Sequence, residues 1–212
     1  MKKKSKKIGI GLIVIGMISV LTSGGLWLFN SMEDNGAADF SENTAQAIFE
    51  QIDVGTPEYV AMQPLLNPDA LEEDGLRYVI IDGVAYIGVL DIPSLSISLP
   101  VNASWSYPAL KNTPCRFSGT IRGNDLVIAA HAYESHFAPI QNLPMGDLVV
   151  LTDVDGIEHI YQVAKTEVVR PSETAHVMHS DYDLTLFTCT YGGQSRVVVR
   201  CIRVIENIIE AE

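Results

Sequence analysis

In the final third of the chain, a cysteine that could attack a carbonyl group is followed seven residues later by an arginine that could stabilise the charge formed in that attack. Cys189 and Arg196 flank Gly192-Gly193, a pair typical of a hairpin turn. A two-residue turn pairs residue i with residue 385 − i, which places Cys189 opposite Arg196. A four-residue loop shifts the pairing to 387 − i but keeps both residues on one face. An arginine there would stabilise the nucleophilic thiolate and could donate to an oxyanion.

Both residues also have a simpler interpretation. Free cysteine is among the most buried residue types and often acts as a small hydrophobic side chain. Arg196 could equally be an exposed arginine on an edge strand. Arg200 shares the face of Arg196 but lies four residues, about 13 Å, further along the strand, so the pattern predicts that its replacement by alanine has a mild effect.

A cysteine nucleophile also needs a proton shuttle, and histidine is the usual one at neutral pH. His131 is the best placed of five, because it ends an apolar strand at residues 126–130 and opens a loop. His136 is its closest rival. The other histidines are expected to be exposed: His159, His176 and His179.

The elements that must position these residues are predicted to be short β-strands. In residues 95–101, large apolar side chains alternate with Ser96, Ser98 and Pro100, as in a half-buried strand. Asp82-Gly83, Asp155-Gly156 and Gly192-Gly193 each lie between two such runs and indicate hairpins. One short helix is expected at residues 137–143. This pattern predicts a mainly β antiparallel barrel or sandwich, in which closure would remove exposed edges.

Composition excludes several classes of function. The 212 residues include 14 basic and 26 acidic side chains, a net charge of −12, which argues against a nucleic-acid partner. Apolar residues make up 47% of the chain, enough for a sizeable core. Three cysteines are too few for a disulfide scaffold, and Cys115 and Cys201 are expected to be buried thiols rather than a disulfide. The sequence has no Cys-x-x-Cys pair, so a structural zinc cluster is not expected, and no cofactor is expected. The acidic domain leaves a calcium site open, but no loop has convincing calcium-ligand spacing.

The N-terminal 30 residues are predicted to anchor the chain in a membrane. Residues 1–7 contain five lysines, and residues 8–29 contain no charge. A 22-residue helix is about 33 Å long, which suffices to cross a hydrocarbon core of about 30 Å. The positive-inside rule then places the N-terminus in the cytoplasm and the rest outside the cell. The alternative is a cleaved signal peptide with a small-residue site at Ser23-Gly24-Gly25.

Residues 31–75 are predicted to form an acidic extracellular stalk, and residues 76–212 the β domain. The stalk contains three prolines and lacks strand alternation. One helix is expected near residues 43–52, where Ala45, Ile48, Phe49 and Ile52 follow helical spacing. The pattern fits a solvated linker helix and a helix docked on the domain equally well.

The motif Thr185-Leu186-Phe187-Thr188-Cys189 resembles the TLxTC signature of sortases, the cysteine transpeptidases that attach proteins to Gram-positive cell walls. Other segments resemble the family in the same order, and the likeness covers about residues 84–205. Ala132 departs from the family, which frequently has Asn or a similar polar group after the histidine, so the sequence does not show what orients His131. The remaining similar segments are residues 91–95, 99–101, 126–131, 135–137 and 194–198.

The resemblance implies a closed, roughly eight-stranded barrel with short helices, preceded by one transmembrane helix. It also implies that Cys189 is the nucleophile, His131 the general acid/base, Arg196 the oxyanion or substrate clamp, and Thr188 a residue that lines the substrate site. Such an enzyme would cleave a C-terminal LPxTG-like sorting motif of a secreted protein through a thioester. It would then join that protein to a cell-wall precursor or to a pilin lysine.

Three alternatives are weighed against this interpretation. A membrane-anchored β module that binds a partner without catalysis would leave Cys189 dispensable. A papain-like protease fits poorly, because there the cysteine precedes the histidine. A pilus-polymerising sortase is less favoured than wall anchoring, because no aromatic lid motif precedes the barrel.

Overall fold

The computed structural model describes residues 2–53, 76–173, 177–178, 181–190 and 192–204. It consists of two units, Met1–Gly36 and Ala37–Glu212. Helix α1 spans Lys2–Asp53. In the first unit, its side chains from Gly11 to Phe29 are exposed and uncharged. The helix is long and apolar enough to cross a membrane, although a signal sequence would meet the same criteria.

The second unit is built from short strands, as the alternating pattern predicts. Its described strands are β1 (Val79–Ile81), β2 (Val84–Ile92), β3 (Ile97–Asn102), β4 (Cys115–Ser118), β5 (Leu126–Ala129), β6 (Leu148–Asp153), β7 (Glu158–Val169), β8 (Leu184–Cys189) and β9 (Arg196–Arg203). Its short helices are η1 (Pro93–Leu95), α2 (Tyr107–Leu110), η2 (Ala138–Asn142) and η3 (Pro171–Glu173), of which η2 replaces the helix predicted at residues 137–143.

Eight strands close into a barrel. The sheet order is β1-β2-β3-β4-β5-β8-β9-β7-β6, and β6 pairs back onto β2. The short strand β1 extends from β2 through the Asp82-Gly83 hairpin, in which Ile81 pairs with Val84. Most pairs are antiparallel, but β3 and β4 run parallel, as do β5 and β8. The structure thus confirms the predicted closed barrel of about eight strands with short helices.

Alternate strand positions divide the barrel into a core and an outer face. The inward side chains of β5, β8 and β9 are buried in one continuous core, which includes Leu126, Ile128, Leu184, Leu186 and Cys201. Cys115 instead packs outside the barrel with Leu110 and Ala129. Both thiols are free, and burial raises the pKa of each to about 12. The two cysteines lie on opposite sides of the sheet, which is why they do not form a disulfide with each other.

The C-terminal part of α1, residues 37–53, packs against the barrel. Ala45 and Ile48 lie in a buried cluster with Val79, Tyr86 and Val89. The helical spacing therefore marks a docked helix and not a solvated linker. The domain boundaries at residues 30/31 and 75/76 stay a prediction, and residues 54–75 of the proposed stalk lie outside the described residues.

Gly88 allows the barrel to close between β2 and β6. It lies opposite Asp153 at a register shift in β2 and has a φ of +147°, a conformation that favours glycine. A Cβ at this position would overlap the backbone carbonyl oxygen of Thr152. The two strands can approach each other here only because residue 88 has no side chain.

Gly88→Ala should lower the free energy of unfolding by about 3 kcal/mol, because it adds a backbone clash to an unfavourable φ. Gly83→Ala is the matched control: its φ is +80°, but its Cβ would meet open space. The control should cost only about 1 kcal/mol. Thermal and denaturant unfolding of the full chain in detergent would compare the two. Equal losses would show that the close strand approach at Gly88 is unimportant.

Candidate active site

The pairing of β5, β8 and β9 brings three of the predicted site residues into one row. Each β5 residue pairs with the β8 residue 58 positions later, from Leu126 with Leu184 to Ala129 with Phe187 (184 − 126 = 58). The hydrogen bond from Ala130 N to Phe187 O continues this alignment. Extended two residues beyond the end of β5, the same offset would bring His131 level with Cys189 (131 + 58 = 189).

On the other side of β8, Cys189 pairs directly with Arg196. This register is the 385 − i pairing, and it extends into the loop, where Thr190 N donates to Ser195 O. Gly192 and Gly193 both have positive φ, at +85° and +73°, which favours glycine, and Gly193 N donates to Thr190 O at 2.7 Å. Cys189 thus has Arg196 directly beside it on β9, and His131 lies two residues after the end of β5, the strand on its other side.

Cys189 points out of the barrel. Leu184 and Leu186 face the core, whereas Phe187 packs with Val127, Val177 and other outer-face residues. Since side chains alternate along a strand, Cys189 shares the outer face with Phe187. It is half-buried, in contrast to the fully buried Cys115 and Cys201. It is therefore the one cysteine of the three that an external substrate can reach.

Thr188 faces the opposite way. Its side chain is 2% exposed, and its hydroxyl donates to the carbonyl oxygen of Ala130 at 2.8 Å. This bond joins the residue before Cys189 to the residue before His131. The structure thus gives Thr188 a positioning contact behind the site, and a direct contact with substrate stays a prediction.

Arg196 is held at the mouth of the hairpin. Its Nη1 donates to the carbonyl oxygens of Gly193 at 3.1 Å and Ser195 at 3.0 Å. These two bonds use both protons of Nη1. Among the contacts of the described residues, the protons on Nη2 and Nε are left for an acceptor on the outer face.

His131 begins a compact loop that closes on itself. The carbonyl oxygen of His131 accepts from Phe137 N at 3.2 Å, and that of Tyr133 accepts from His136 N and Ala138 N, both at 3.0 Å. The ring of Tyr133 lies 5.0 Å from that of His131 and 5.5 Å from that of His136, measured between centroids. His136, the rival candidate, is fully buried, so it is a part of the support of this loop.

His159 is not exposed as the pattern predicts. Its Nε2 lies 2.7 Å from Asp153 Oδ2, and its Nδ1 lies 3.2 Å from Nη2 of Arg203. Arg203 pairs with Tyr161, and Arg196 pairs with Val169, so β7 and β9 place His159 at the barrel end opposite Cys189. His176 and His179 lie outside the described residues.

A strip of aromatic rings crosses the outer face beside Cys189. Phe187 makes an edge-to-face contact with Phe117 at 5.2 Å, and Phe117 makes another with Trp105 at 5.5 Å. Trp105 in turn contacts Tyr107 at 5.0 Å. Trp105 and Tyr107 are 38% and 74% exposed. Sequence reasoning missed this strip, because its four residues come from three separate segments that only the barrel brings together.

Within the described ranges, no group of three His, Cys, Asp or Glu residues is arranged to hold a metal ion. The chemistry of the row can be derived from its own side chains. A thiol flanked by an imidazole and a guanidinium is an arrangement for nucleophilic attack on a carbonyl, with one neighbour to transfer a proton and one to bind negative charge.

Comparison with known families decides the assignment. The sequence model of the Sortase domain matches residues 90–204, which is more than half of the 212-residue chain. The chain belongs to the sortase family. The match covers β3 to β9 and the whole row from His131 to Arg196, and it confirms a cysteine transpeptidase. The interpretation as a non-catalytic β module is thereby set aside.

Solved structures similar to this sortase agree on the fold. A Clostridium perfringens sortase D5 transpeptidase matches with a TM-score of 0.57 at 21% identity, covering 79% of this chain and 99% of that one. A C. perfringens sortase C solved with the C-terminal cell wall sorting motif matches with a TM-score of 0.52 at 24% identity, covering 77% and 90%. Sortase C-1 from Actinomyces oris matches with a TM-score of 0.50 at 26% identity, covering 56% and 73%. No curated protein sequence matched, and the subclass stays undecided.

Arg200 has a larger structural role in this sortase than its position along the strand suggests. It is 1% exposed, although it lies on the outer face like Arg196. Its Nη1 donates to Val177 O at 2.9 Å and to Thr185 Oγ1 at 3.0 Å, and its Nε donates to Glu167 Oε1 at 3.1 Å. Arg200 thus ties the segment between β7 and β8 onto the outer face of the barrel.

The carboxylate of Glu167 completes this network. Burial raises its pKa, but hydrogen bonds from Lys165 and Arg200 outweigh burial and hold the pKa below its usual value. Glu167 Oε2 lies 2.6 Å from Lys165 Nζ. The expectation that replacing Arg200 has a mild effect on activity stays a prediction. Strand spacing does not reveal, however, that a loop covers this arginine, so its replacement should lower stability.

Arg200→Met should lower the free energy of unfolding by about 3 kcal/mol, because it removes a buried charge and its three hydrogen bonds. Arg196→Met is the matched control, since it makes the same change on the same strand face at a half-buried position. Its cost should stay below about 1 kcal/mol. Unfolding of the full chain in detergent would measure both. Losses of similar size would argue against the role assigned to Arg200.

Proposed function

We propose that this sortase cleaves an LPxTG-like sorting motif near the C-terminus of secreted proteins through a thioester on Cys189, and then joins them to an amine. The observation that carries the proposal is the register of β5, β8 and β9, in which Cys189 pairs with Arg196 and His131 follows the end of β5. Both β5 and β9 are neighbours of the strand that bears Cys189. This arrangement supports a joint action of His131 and Arg196 on one carbonyl group.

The first half of the reaction forms the acyl-enzyme. The thiolate of Cys189 attacks the carbonyl carbon of the scissile peptide bond, and negative charge develops on the carbonyl oxygen. Arg196 donates hydrogen bonds to that oxygen. His131 gives a proton to the departing amine as the C–N bond breaks, which leaves a thioester on Cys189.

The second half reverses the roles with a new amine. The acceptor amine attacks the thioester carbonyl, His131 takes up the amine proton, and the C–S bond breaks to release Cys189. The thioester keeps the free energy of the broken peptide bond, so no ATP is needed. The acceptor is an amine of a cell-wall precursor or of a pilin lysine, and peptides that carry each one distinguish the two.

The sorting peptide is proposed to lie on the outer face along the aromatic strip, with its scissile carbonyl at Cys189. Phe187 shares the face of Cys189, and its contact with Phe117 forms an apolar floor. Trp105 and Tyr107 extend that floor to the solvent. Rigid aromatic rings of this kind bind apolar and proline-containing segments at a low cost in conformational entropy.

The enzyme is proposed to be a single-pass membrane protein with its catalytic domain outside the cell. The lysines of residues 1–7 and the uncharged residues 8–29 support this orientation by the positive-inside rule. Such a location would hold the active site where secreted proteins emerge.

Cys189→Ala should abolish transpeptidation, because no other thiol can form the thioester. Cys115→Ala and Cys201→Ala are the matched controls, since both thiols are buried and protonated. They should keep most activity and change stability at most. Mass spectrometry of the full chain incubated with sorting-motif peptides and amine acceptors would look for an acyl group on Cys189. A similar loss in all three folded variants would contradict the proposal.

Arg196→Lys should lower turnover by about 100- to 1,000-fold, because lysine lacks the planar fork that presents two donors. The loss should appear in kcat more than in KM, since the contact strengthens as charge develops on the oxygen. Steady-state kinetics with a fluorogenic sorting peptide would measure both constants. A loss confined to KM would mean that Arg196 binds the ground-state peptide and not the oxyanion.

A further inference from the structure

The docked part of α1 reaches the loop that begins at His131. Ser41, on the helix, is 2% exposed, and its Oγ lies 3.3 Å from Nε2 of His136 and 3.0 Å from the carbonyl oxygen of Asn112. His136 is fully buried. A helix nearly one hundred residues earlier in the chain thus contacts the loop of the proposed acid/base.

The direction of these two hydrogen bonds follows from the number of protons. A serine hydroxyl has one proton, and a carbonyl oxygen can only accept, so Ser41 donates to Asn112. Ser41 Oγ must then accept from His136, which requires a proton on Nε2 of His136. The contact therefore selects one tautomer of His136 and one orientation of its ring.

The ring of His136 is connected to the ring of His131 through Tyr133. The centroids of His131 and Tyr133 are 5.0 Å apart, and those of Tyr133 and His136 are 5.5 Å apart. The loop backbone is closed by its own hydrogen bonds, including the one from Phe137 N to His131 O. A change in the orientation of His136 would therefore displace Tyr133 and, through it, the imidazole of His131.

We propose that Ser41 and His136 are positioning residues for His131, so that the docked helix is a part of the catalytic apparatus. The inference rests on the proposed role of His131 as general acid/base. Ala132 has no polar side chain at the position where one frequently follows the histidine in this family. The contact from Ser41 adds a polar interaction to the support of the same loop.

The effect of losing this contact should be confined to the chemical step. Ser41 and His136 are both buried, and neither belongs to the aromatic strip along which the sorting peptide is proposed to bind, so KM should change little. A misplaced imidazole transfers protons less efficiently, and displacements near 1 Å cost up to about 100-fold in rate. We expect kcat to fall about tenfold in Ser41→Ala and the pH profile of kcat to shift.

The helix itself offers a matched control. Thr44 lies one turn after Ser41, is also buried, and hydrogen-bonds to Tyr86 on β2. Thr44→Val removes one buried helix-to-barrel hydrogen bond that does not lead to the His131 loop. It should lower stability as Ser41→Ala does and leave kcat within about twofold of the unchanged enzyme.

The test compares four variants of the full chain in detergent: Ser41→Ala, Ser41→Thr, Thr44→Val and His131→Ala. Steady-state kinetics across pH would be measured with a fluorogenic sorting peptide, and thermal unfolding would report the stability of each. A low kcat with unchanged KM in Ser41→Ala, recovery in Ser41→Thr and normal kcat in Thr44→Val would support the inference.

Two results would overturn it. Normal kcat and pH profile in Ser41→Ala, beside an inactive His131→Ala, would mean that the helix contact does not position the imidazole. Equal losses of kcat in Ser41→Ala and Thr44→Val would show only general destabilisation. If His131→Ala itself stayed active, the proposed role of His131 would fail, which is a different outcome from either of these.

Discussion

The parallel pairing of β5 with β8 determines where this sortase can do chemistry. Because the strands run in the same direction, both end at the same rim of the barrel, and His131 arrives beside Cys189. An antiparallel pair would have separated them by the length of the strands. The bond from Thr188 to the Ala130 carbonyl holds the two ends together one residue before each functional side chain. β9 then returns antiparallel from a tight loop, so that its first residue, Arg196, lies at the same rim.

Because side chains alternate along each strand, one face of the sheet forms the core and the other carries the proposed site. Inward residues of β5, β8 and β9 fill a core that keeps the register from slipping, since a shift by one residue would turn Cys189 into the interior. Outward residues form the site and the aromatic strip. Arg200 faces outward too, but the segment that includes Val177 covers it. The outer face therefore carries both the proposed catalytic residues and a buried ion pair, between Arg200 and Glu167.

Local signals in the sequence are sufficient to predict much of this arrangement. Asp82-Gly83 and Gly192-Gly193 determine hairpins through the backbone angles of a few residues, and the parity of the second hairpin alone places Arg196 on the face of Cys189. The resemblance of residues 126–131 to the sortase family adds His131. Contacts between distant segments cannot be predicted in this way. Helical spacing shows an apolar face around Ile48 but not its partner Tyr86, and strand periodicity places Arg200 on a face without showing what covers it.

The site also depends on the order in which the chain is made. The pairing of β5 with β8 joins residues that are 58 positions apart in the sequence. The pairing of Cys189 with Arg196 also requires the next strand, β9. Contacts of such long sequence separation form late, because the loop between the partners has to be ordered first. During synthesis, Cys189 therefore exists before its partner Arg196 on β9 has been made. The proposed site is complete only when β9 has paired with both β7 and β8.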